Sequence, residues 1–156
     1  MLTANTDFGA RSNSMFAKRQ WIASERIMDF QMKIVRVLQR GNYVIAITRG
    51  PMDIDGFKRL FDKVIEETRP LLDCKVLIDL QDSRYQLLPA EVAELADSID
   101  LQSWPQHNKV ALVSSPEIEQ YQQLAMLGEG LAKRSVKITV FYDTKEAISW
   151  LSGIKG

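Results

Sequence analysis

Three short apolar runs, each followed by a polar connection and an amphipathic segment, constrain the fold of this chain more than any other feature. The runs are Lys75–Leu80, Lys109–Val113 and Val136–Tyr142. A continuous run of valine, leucine and isoleucine is typical of a strand buried on both faces, and a helix after each such strand makes successive strands parallel. The pattern therefore predicts a parallel sheet covered by helices, with any ligand site at the carboxyl ends of the strands.

Two further β-rich segments precede these runs. Met32–Leu38 and Tyr43–Thr48 flank a connection that contains Gly41 and Asn42, and Gly-Asn between β-rich segments is typical of a hairpin. The predicted order is β-β-α-β-α-β-α-β-α. This order corresponds to an α/β fold with a mixed, mostly parallel sheet of about five strands and about four helices.

Each predicted helix begins at a recognisable start signal. Asp53 and Asp143 are typical N-cap residues, and Pro89 suits the first turn of the second helix. In the third helix, Ser115 is the predicted N-cap and Pro116 the first helical residue.

Charge and cysteine content argue against several classes of function. The 156 residues include 20 basic and 20 acidic side chains, so the chain lacks the basic excess expected of a nucleic-acid-binding protein. There is one cysteine, Cys74, and one histidine, His107, and the usual zinc sites cannot be assembled from these within one chain. We therefore predict neither a metal nor an organic cofactor.

Residues 1–31 are predicted to form a leader and residues 32–156 the domain. Met1–Ser14 lacks the basic and apolar regions of an export signal. Met15–Phe30 permits a short helix, which is either an appended segment or a docking helix for a partner or a second subunit. No run approaches the roughly 20 apolar residues of a membrane span. These features predict a cytoplasmic protein and leave a homodimer as an open alternative.

Polar residues at the predicted carboxyl ends of the strands are the candidates for binding a protein partner or a small ligand. They lie in the segments Gly50–Asp53, Gln81–Gln86, Ser114–Glu117 and Asp143–Thr144, and Gln81–Gln86 is predicted to be a polar loop. The candidate residues are Asp53, Asp82, Ser83, Arg84, Tyr85, Ser114, Ser115 and Asp143.

Some of these residues also support an alternative function as an enzyme. Asp79 and Asp82 are suited to acid–base catalysis or Mg²⁺ binding, with Ser83 and Arg84 beside them. Aspartates at strand ends more often cap a turn, and we favour that interpretation. Ser83 is either a phosphorylation site or an ordinary residue of a solvated loop, and the second is the commoner case.

Two motifs with the composition of anion sites are better explained by helix structure. Ser114 and Ser115 resemble an anion cradle at a helix start, but Glu117 already supplies negative charge there and favours a helix cap. Gly128 and Gly130 resemble a phosphate loop, yet they lie late in a helical pattern instead of directly after a strand. Close packing of a helix on the sheet is the predicted reason for these glycines.

The domain resembles the SpoIIAA-like branch of the STAS superfamily (sulfate transporter and anti-sigma factor antagonist). The resemblance is carried by the segments Tyr43–Thr48, Val76–Leu80, Lys109–Val113, Val140–Asp143 and Ala147–Leu151. It implies a small regulatory or binding domain with the α/β fold predicted above. A structural module for dimerisation is a further alternative.

One segment departs from the pattern of anti-sigma factor antagonists in this superfamily. Those proteins carry an Asp-Ser-Ser-Gly-like motif after the Ile-Asp-Leu strand, and a kinase phosphorylates a serine in it. Here Leu87-Leu88-Pro89-Ala90 occupies that place and offers no hydroxyl. The resemblance therefore implies a domain that lacks the usual phosphorylation switch and binds its partner or ligand constitutively.

Overall fold

A mixed five-stranded sheet forms the centre of the part of the chain that the structure describes. The structure is a computed structural model that describes residues 33–71, 73–100 and 108–153. The strand order across the sheet equals the order along the chain. The first two strands pair antiparallel and the other pairs are parallel, as predicted. The strands are β1 (Lys33–Arg40), β2 (Tyr43–Met52), β3 (Lys75–Tyr85), β4 (Lys109–Val113) and β5 (Lys137–Phe141).

Four helices among the described residues complete the predicted order. Three of them cover one face of the sheet and the fourth covers the other. Both faces are therefore covered, and this explains why the central strands are continuously apolar. The helices are α1 (Ile54–Thr68), α2 (Pro89–Ser98), α3 (Ile118–Ala132) and α4 (Thr144–Ser152).

Side chains of the central strands alternate between two apolar cores of unequal size. On the face of α1, α2 and α3, Val76 and Ile78 pack in the larger core. On the opposite face, Leu77 packs in a smaller core beneath α4. The larger core includes Phe57, Leu60, Leu95, Leu112, Leu124 and Leu127. The smaller core includes Ala111, Val113, Ala147 and Leu151.

The predicted caps are largely confirmed. The Asp53 carboxylate accepts a hydrogen bond from the Gly56 amide at 2.8 Å, and Asp143 accepts one from the Lys145 amide at 3.1 Å. Pro89 lies in the first turn of α2. Gly41 adopts φ of +58° in the β1–β2 turn, a conformation that favours glycine.

The prediction of a loop at Gln81–Gln86 is wrong, because β3 continues through Tyr85. A register shift falls between Ile47 and Arg49 on β2, where β3 carries the extra residue of a β-bulge. A bulge interrupts the alternation of side chains along a strand. The polar residues Gln81–Tyr85 therefore lack the recognisable pattern of a strand, and the sequence could not predict this part of β3.

The predicted start of the third helix is also wrong, since α3 begins at Ile118 with Glu117 at the N-cap. The Ser114 amide donates to the Phe141 carbonyl at 2.8 Å, so sheet pairing continues one residue past β4. The Ser114 hydroxyl donates to the Ser115 carbonyl at 2.8 Å. These bonds hold the connection extended where the Ser-Pro signal predicted a helix.

The predicted leader, its helix at Met15–Phe30 and His107 lie outside the described residues. Residues 32–156 form one unit by their internal contacts, and the assignment of residues 1–31 as a leader stays a prediction. No helix of the described residues is long and apolar enough to cross a membrane.

Candidate functional site

The carboxyl ends of the parallel strands form a stepped edge. Pairing between β3 and β4 stops where Asp79 lies beside Val113. Pairing between β2 and β3 continues to Met52 and Tyr85. A two-stranded extension therefore projects past the ends of β4 and β5, and the predicted binding residues are distributed over this step.

A buried pair of hydroxyl groups joins the two strands at the base of the extension. Thr48 and Ser83 are each 1% exposed, and their hydroxyl oxygens are 2.5 Å apart. The Thr48 hydroxyl also lies 3.5 Å from the Asp79 carbonyl, to which it donates. Ser83 was predicted in a solvated loop; the bulge directs its side chain into the protein, so its hydroxyl is a structural group in this conformation.

Tyr85 fixes the end of the extension against the helices. Its ring meets Phe57 edge to face, with ring centroids 5.2 Å apart, and its hydroxyl donates to the Gln120 carbonyl at 3.3 Å. Burial raises the pKa of Tyr85, while a hydrogen bond with the Ser114 side chain opposes that rise. The phenol is therefore neutral at physiological pH, and its hydrogen bond to Gln120 ties β3 to α3.

Two buried polar atoms in the β4–α3 connection and first turn of α3 have no hydrogen-bond partner. They are the Ser115 hydroxyl oxygen and the Gln120 side-chain oxygen. The amide nitrogen of Gln120 is satisfied, since it donates to Glu117 at 2.8 Å. Buried polar groups are nearly always paired with protein or water. These two atoms are therefore the positions at which a bound water or a polar ligand group would be stabilised.

The aspartates of the carboxyl-end edge have separate local roles. Asp79 accepts a hydrogen bond from the Gln81 amide at 3.0 Å. Burial raises the pKa of Asp79, the bond from Gln81 opposes this, and the charge of Asp82 raises it further. Asp53 and Asp143 cap helices, as described above. These carboxylates do not gather around one point. Among the described residues there is no group of three or more side chains that could hold a metal ion.

An apolar rim, which we define as Leu88, Ile118 and Tyr142, surrounds this edge. These side chains are 63%, 64% and 46% exposed, and each follows a different one of the neighbouring strands β3, β4 and β5. Tyr142 stacks on Tyr121 of α3 with ring centroids 4.3 Å apart, and its carbonyl accepts from the Gln81 side chain at 3.4 Å. Tyr142 is therefore held by contacts with α3 and β3.

The predicted candidates do not form one cluster. Ser114 and Ser115 are both buried in the β4–α3 connection, and Tyr85 is buried at the end of β3. Asp82 and Arg84 are exposed on β3, on either side of the buried Ser83. The arrangement needed for the alternative enzyme, with these side chains around one substrate atom, is therefore not assembled.

Sequence reasoning missed the apolar rim, Thr48 and Gln120. Leu88 and Ile118 give no signal of their own, because a single sequence does not indicate which apolar side chains remain exposed. Thr48 gave one signal, as a polar residue at the end of an apolar strand.

Cys74, directly before β3, is an inert thiol. It is buried, and its amide donates to the Asn108 side chain at 2.9 Å. Burial, with a smaller contribution from the charge of Asp73, raises the pKa of Cys74 to about 11. Since the thiolate is the reactive form, this cysteine is a poor nucleophile.

Comparisons with known proteins give similarities to solved structures only. No protein-family model matches it. No curated protein matches it. Among solved structures, it is similar to an uncharacterized protein from the DUF3478 family with a SpoIIAA-like fold, from Shewanella loihica PV-4. The sequence identity is 16% and the TM-score is 0.49, and the match covers 78% of this chain and 94% of that chain. It is also similar to a structure described as Mglu, at 13% identity and a TM-score of 0.34, with 83% of this chain and 26% of that chain covered.

The first of these descriptions names the SpoIIAA-like fold, as the resemblance in the sequence predicted. At these identities and TM-scores, nothing about activity or partners follows from either similarity.

Proposed function

We propose that this chain is a non-enzymatic, SpoIIAA-like regulatory domain that binds a protein partner at the carboxyl-end edge of its sheet. The observation that carries the proposal is the apolar rim of Leu88, Ile118 and Tyr142, all exposed at the ends of three neighbouring strands. Apolar side chains surrounded by polar ones are typical of protein interfaces.

Charge at the same edge indicates the chemistry of the partner. The exposed carboxylates include Asp82 within β3, Glu117 after β4 and Asp143 after β5. Arg84, also exposed on β3, adds one positive charge among them. A partner that presents apolar side chains flanked by lysine or arginine would match this surface, because complementary charges steer association and fix its orientation.

The segment Asp82–Ala90, which covers the end of β3 and the start of α2, has no accessible hydroxyl, and this supports constitutive binding. Ser83 is 1% exposed and hydrogen bonded to Thr48, so a kinase cannot reach it without local unfolding. The segment Leu87–Ala90 contains no hydroxyl. Regulation through this edge therefore depends on the availability of the partner.

A second candidate function is the binding of a small polar ligand at the β4–α3 connection. The unpaired oxygens of Ser115 and Gln120 favour it, because a ligand with hydrogen-bond donors would satisfy both.

Site-specific photo-crosslinking in cells of the native host tests the protein-binding proposal. A photoreactive amino acid replaces Ile118 in the rim, and in a matched control it replaces Ile148, which is 43% exposed on α4. We expect one defined crosslinked protein from position 118, none from position 148, and loss of the product when Tyr142→Asp is added.

The captured protein is then purified and titrated against the domain by calorimetry. Ile118→Asp should weaken binding about tenfold or more, as for a central interface residue, and Ile148→Asp should leave it unchanged. Equal crosslinking from both positions would reject the rim as the interface. A crosslink to a second copy of this chain would instead support the dimerisation alternative. A bound small molecule that native mass spectrometry detects in wild type but not in Ser115→Ala would favour the ligand-binding function.

A further inference from the structure

Three lysines lie side by side at the amino ends of the parallel strands, opposite the carboxyl-end edge. Lys75, Lys109 and Lys137 are the first residues of β3, β4 and β5. In the parallel register, Lys75 pairs with Lys109 and Lys109 with Lys137. We call these three residues the lysine row.

The lysine row lies on the face of the sheet that carries α4. Leu77 and Ala111, two residues further along their strands, pack in the core beneath α4, and side chains two apart point to the same face. Beyond Lys75, the next positions toward β1 are Tyr43, which pairs with Lys75, and Arg40, which pairs with Tyr43. At roughly 4.8 Å per strand, the cations from Arg40 to Lys137 span about 19 Å.

No carboxylate among the described residues pairs with these cations. The ion pairs within residues 33–71, 73–100 and 108–153 join Lys58 to Glu94 and Lys63 to Glu66. Asp73 lies two residues before Lys75 and makes no ion pair with it. Like charges side by side on neighbouring strands destabilise a sheet. Repulsion within the lysine row therefore lowers the stability of the sheet, and an anionic partner would remove this repulsion.

Aromatic rings hold two of the lysines in place. The Lys75 ammonium lies 5.6 Å from the centre of the Tyr43 ring. The Lys109 ammonium lies 5.3 Å from the centre of the Trp150 ring and donates to the Trp150 carbonyl at 3.4 Å. These contacts position the charges before any partner binds. One face of each ring meets a lysine, and both rings are partly buried against the core beneath α4, which limits their access to a nucleobase.

We propose that the lysine row is a second interaction surface, which binds an acidic segment of a protein. Successive carboxylates on one side of an extended peptide are about 6.6 Å apart, and flexible lysine side chains can reach this spacing from strands about 4.8 Å apart. The balanced charge of the whole chain and the partial burial of the Tyr43 and Trp150 rings favour a peptide over a nucleic acid. This surface is separate from the carboxyl-end edge, and its test is independent of the function proposed there.

Titration of the full chain with a fluorescent octaglutamate peptide at low salt tests the proposal. We expect measurable binding that weakens as salt is added, because screening shortens the range of the charges. Lys75→Gln with Lys137→Gln should weaken binding about tenfold. Lys63→Gln with Lys145→Gln is the matched control, because it removes the same net charge from exposed lysines outside the row, and it should change affinity less than about twofold.

Circular dichroism confirms that each variant is folded, and Lys137→Glu alone provides a second variant at an exposed position. Failure of wild type to bind octaglutamate would overturn the proposal. It would also be overturned if both double variants lost affinity equally, since only net charge would then matter. Tighter binding of a single-stranded oligonucleotide of equal charge, lost in the row variant, would assign the surface to nucleic acid instead.

Discussion

At the scale of single residues, neighbouring serines in the β4–α3 connection have opposite hydrogen-bonding states. The Ser114 hydroxyl donates to the Ser115 carbonyl, whereas the Ser115 hydroxyl is buried without a partner. Both were predicted as binding residues on the same sequence grounds. Their difference depends on side-chain rotation, which no sequence pattern specifies.

This difference predicts opposite effects of the same substitution. Ser114→Ala should lower the free energy of unfolding by about 1–2 kcal/mol, because it removes a paired hydroxyl. Ser115→Ala should leave it unchanged or raise it by up to about 1 kcal/mol, because it removes an unpaired one. Urea unfolding of both variants measures the effects. A loss in Ser115→Ala as large as that in Ser114→Ala would show that the Ser115 hydroxyl has a partner, such as a bound water.

The buried pair of Thr48 and Ser83 predicts a strong energetic coupling. Ser83→Ala leaves the Thr48 hydroxyl with only a 3.5 Å contact to the Asp79 carbonyl and should cost about 1–3 kcal/mol. Thr48→Val should cost a similar amount. The double variant should lose clearly less than the sum, since no hydroxyl is then left unpaired. Additive losses in a double-mutant cycle would contradict the coupling.

Asp79 predicts a pH dependence of stability. Burial raises its pKa in the folded protein, so the stability that its protonated form contributes is full at acidic pH and is lost as pH rises through the folded-state pKa. Asp79→Asn keeps the acceptor for the Gln81 amide and carries no charge. The variant should therefore be more stable than wild type at neutral pH, and the difference should shrink as pH falls below the pKa. A difference that is constant with pH would show that Asp79 is ordinarily solvated.

At the scale of elements, the two glycines of α3 make different contacts. A methyl group on Gly128 would lie 3.7 Å from the Val140 side chain of β5, which is ordinary contact. A methyl group on Gly130 would lie 3.0 Å from the Ala96 side chain of α2. The predicted packing of helix on sheet therefore applies to Gly128, while Gly130 faces another helix.

These contacts predict that the two positions respond differently to alanine. Gly128→Ala should raise the free energy of unfolding by up to about 1 kcal/mol, because alanine is the better helix former. Gly130→Ala should gain less or lose stability, because α2 and α3 must separate by a few tenths of an ångström. Thermal unfolding of both variants measures the difference. Equal stabilisation would show that α2 moves freely.

The order and type of the elements could be predicted from the sequence, whereas several of their boundaries could not. The predicted Tyr43–Thr48 strand, for example, continues to Met52. Apolar runs and cap residues are local signals, so Lys109–Val113 and the cap of Asp53 were predicted correctly. The end of β3 depends on pairing with β2, and the start of α3 depends on the bond from Ser114 to Phe141. Such long-range bonds leave no periodic pattern in the sequence.

At the scale of the whole molecule, the two edges of the sheet differ in character. The carboxyl-end edge combines the apolar rim with exposed carboxylates, and the amino-end edge carries the lysine row. Local motifs predicted which edge would hold binding residues, because the rule for parallel sheets needs only the order of the elements. The lysine row depends on the register of three strands, and register cannot be read from one strand at a time.

The agreement between strand order and chain order has a consequence for how the protein is made. Each strand after β1 pairs with the strand that was synthesised just before it. The strand with which it pairs is therefore always present when it is synthesised. No strand has to be inserted between two others, and sheet pairings skip no strand. Such a chain can add structure progressively as it leaves the ribosome, since domains fold from the amino terminus during synthesis and nearby pairings form faster than distant ones.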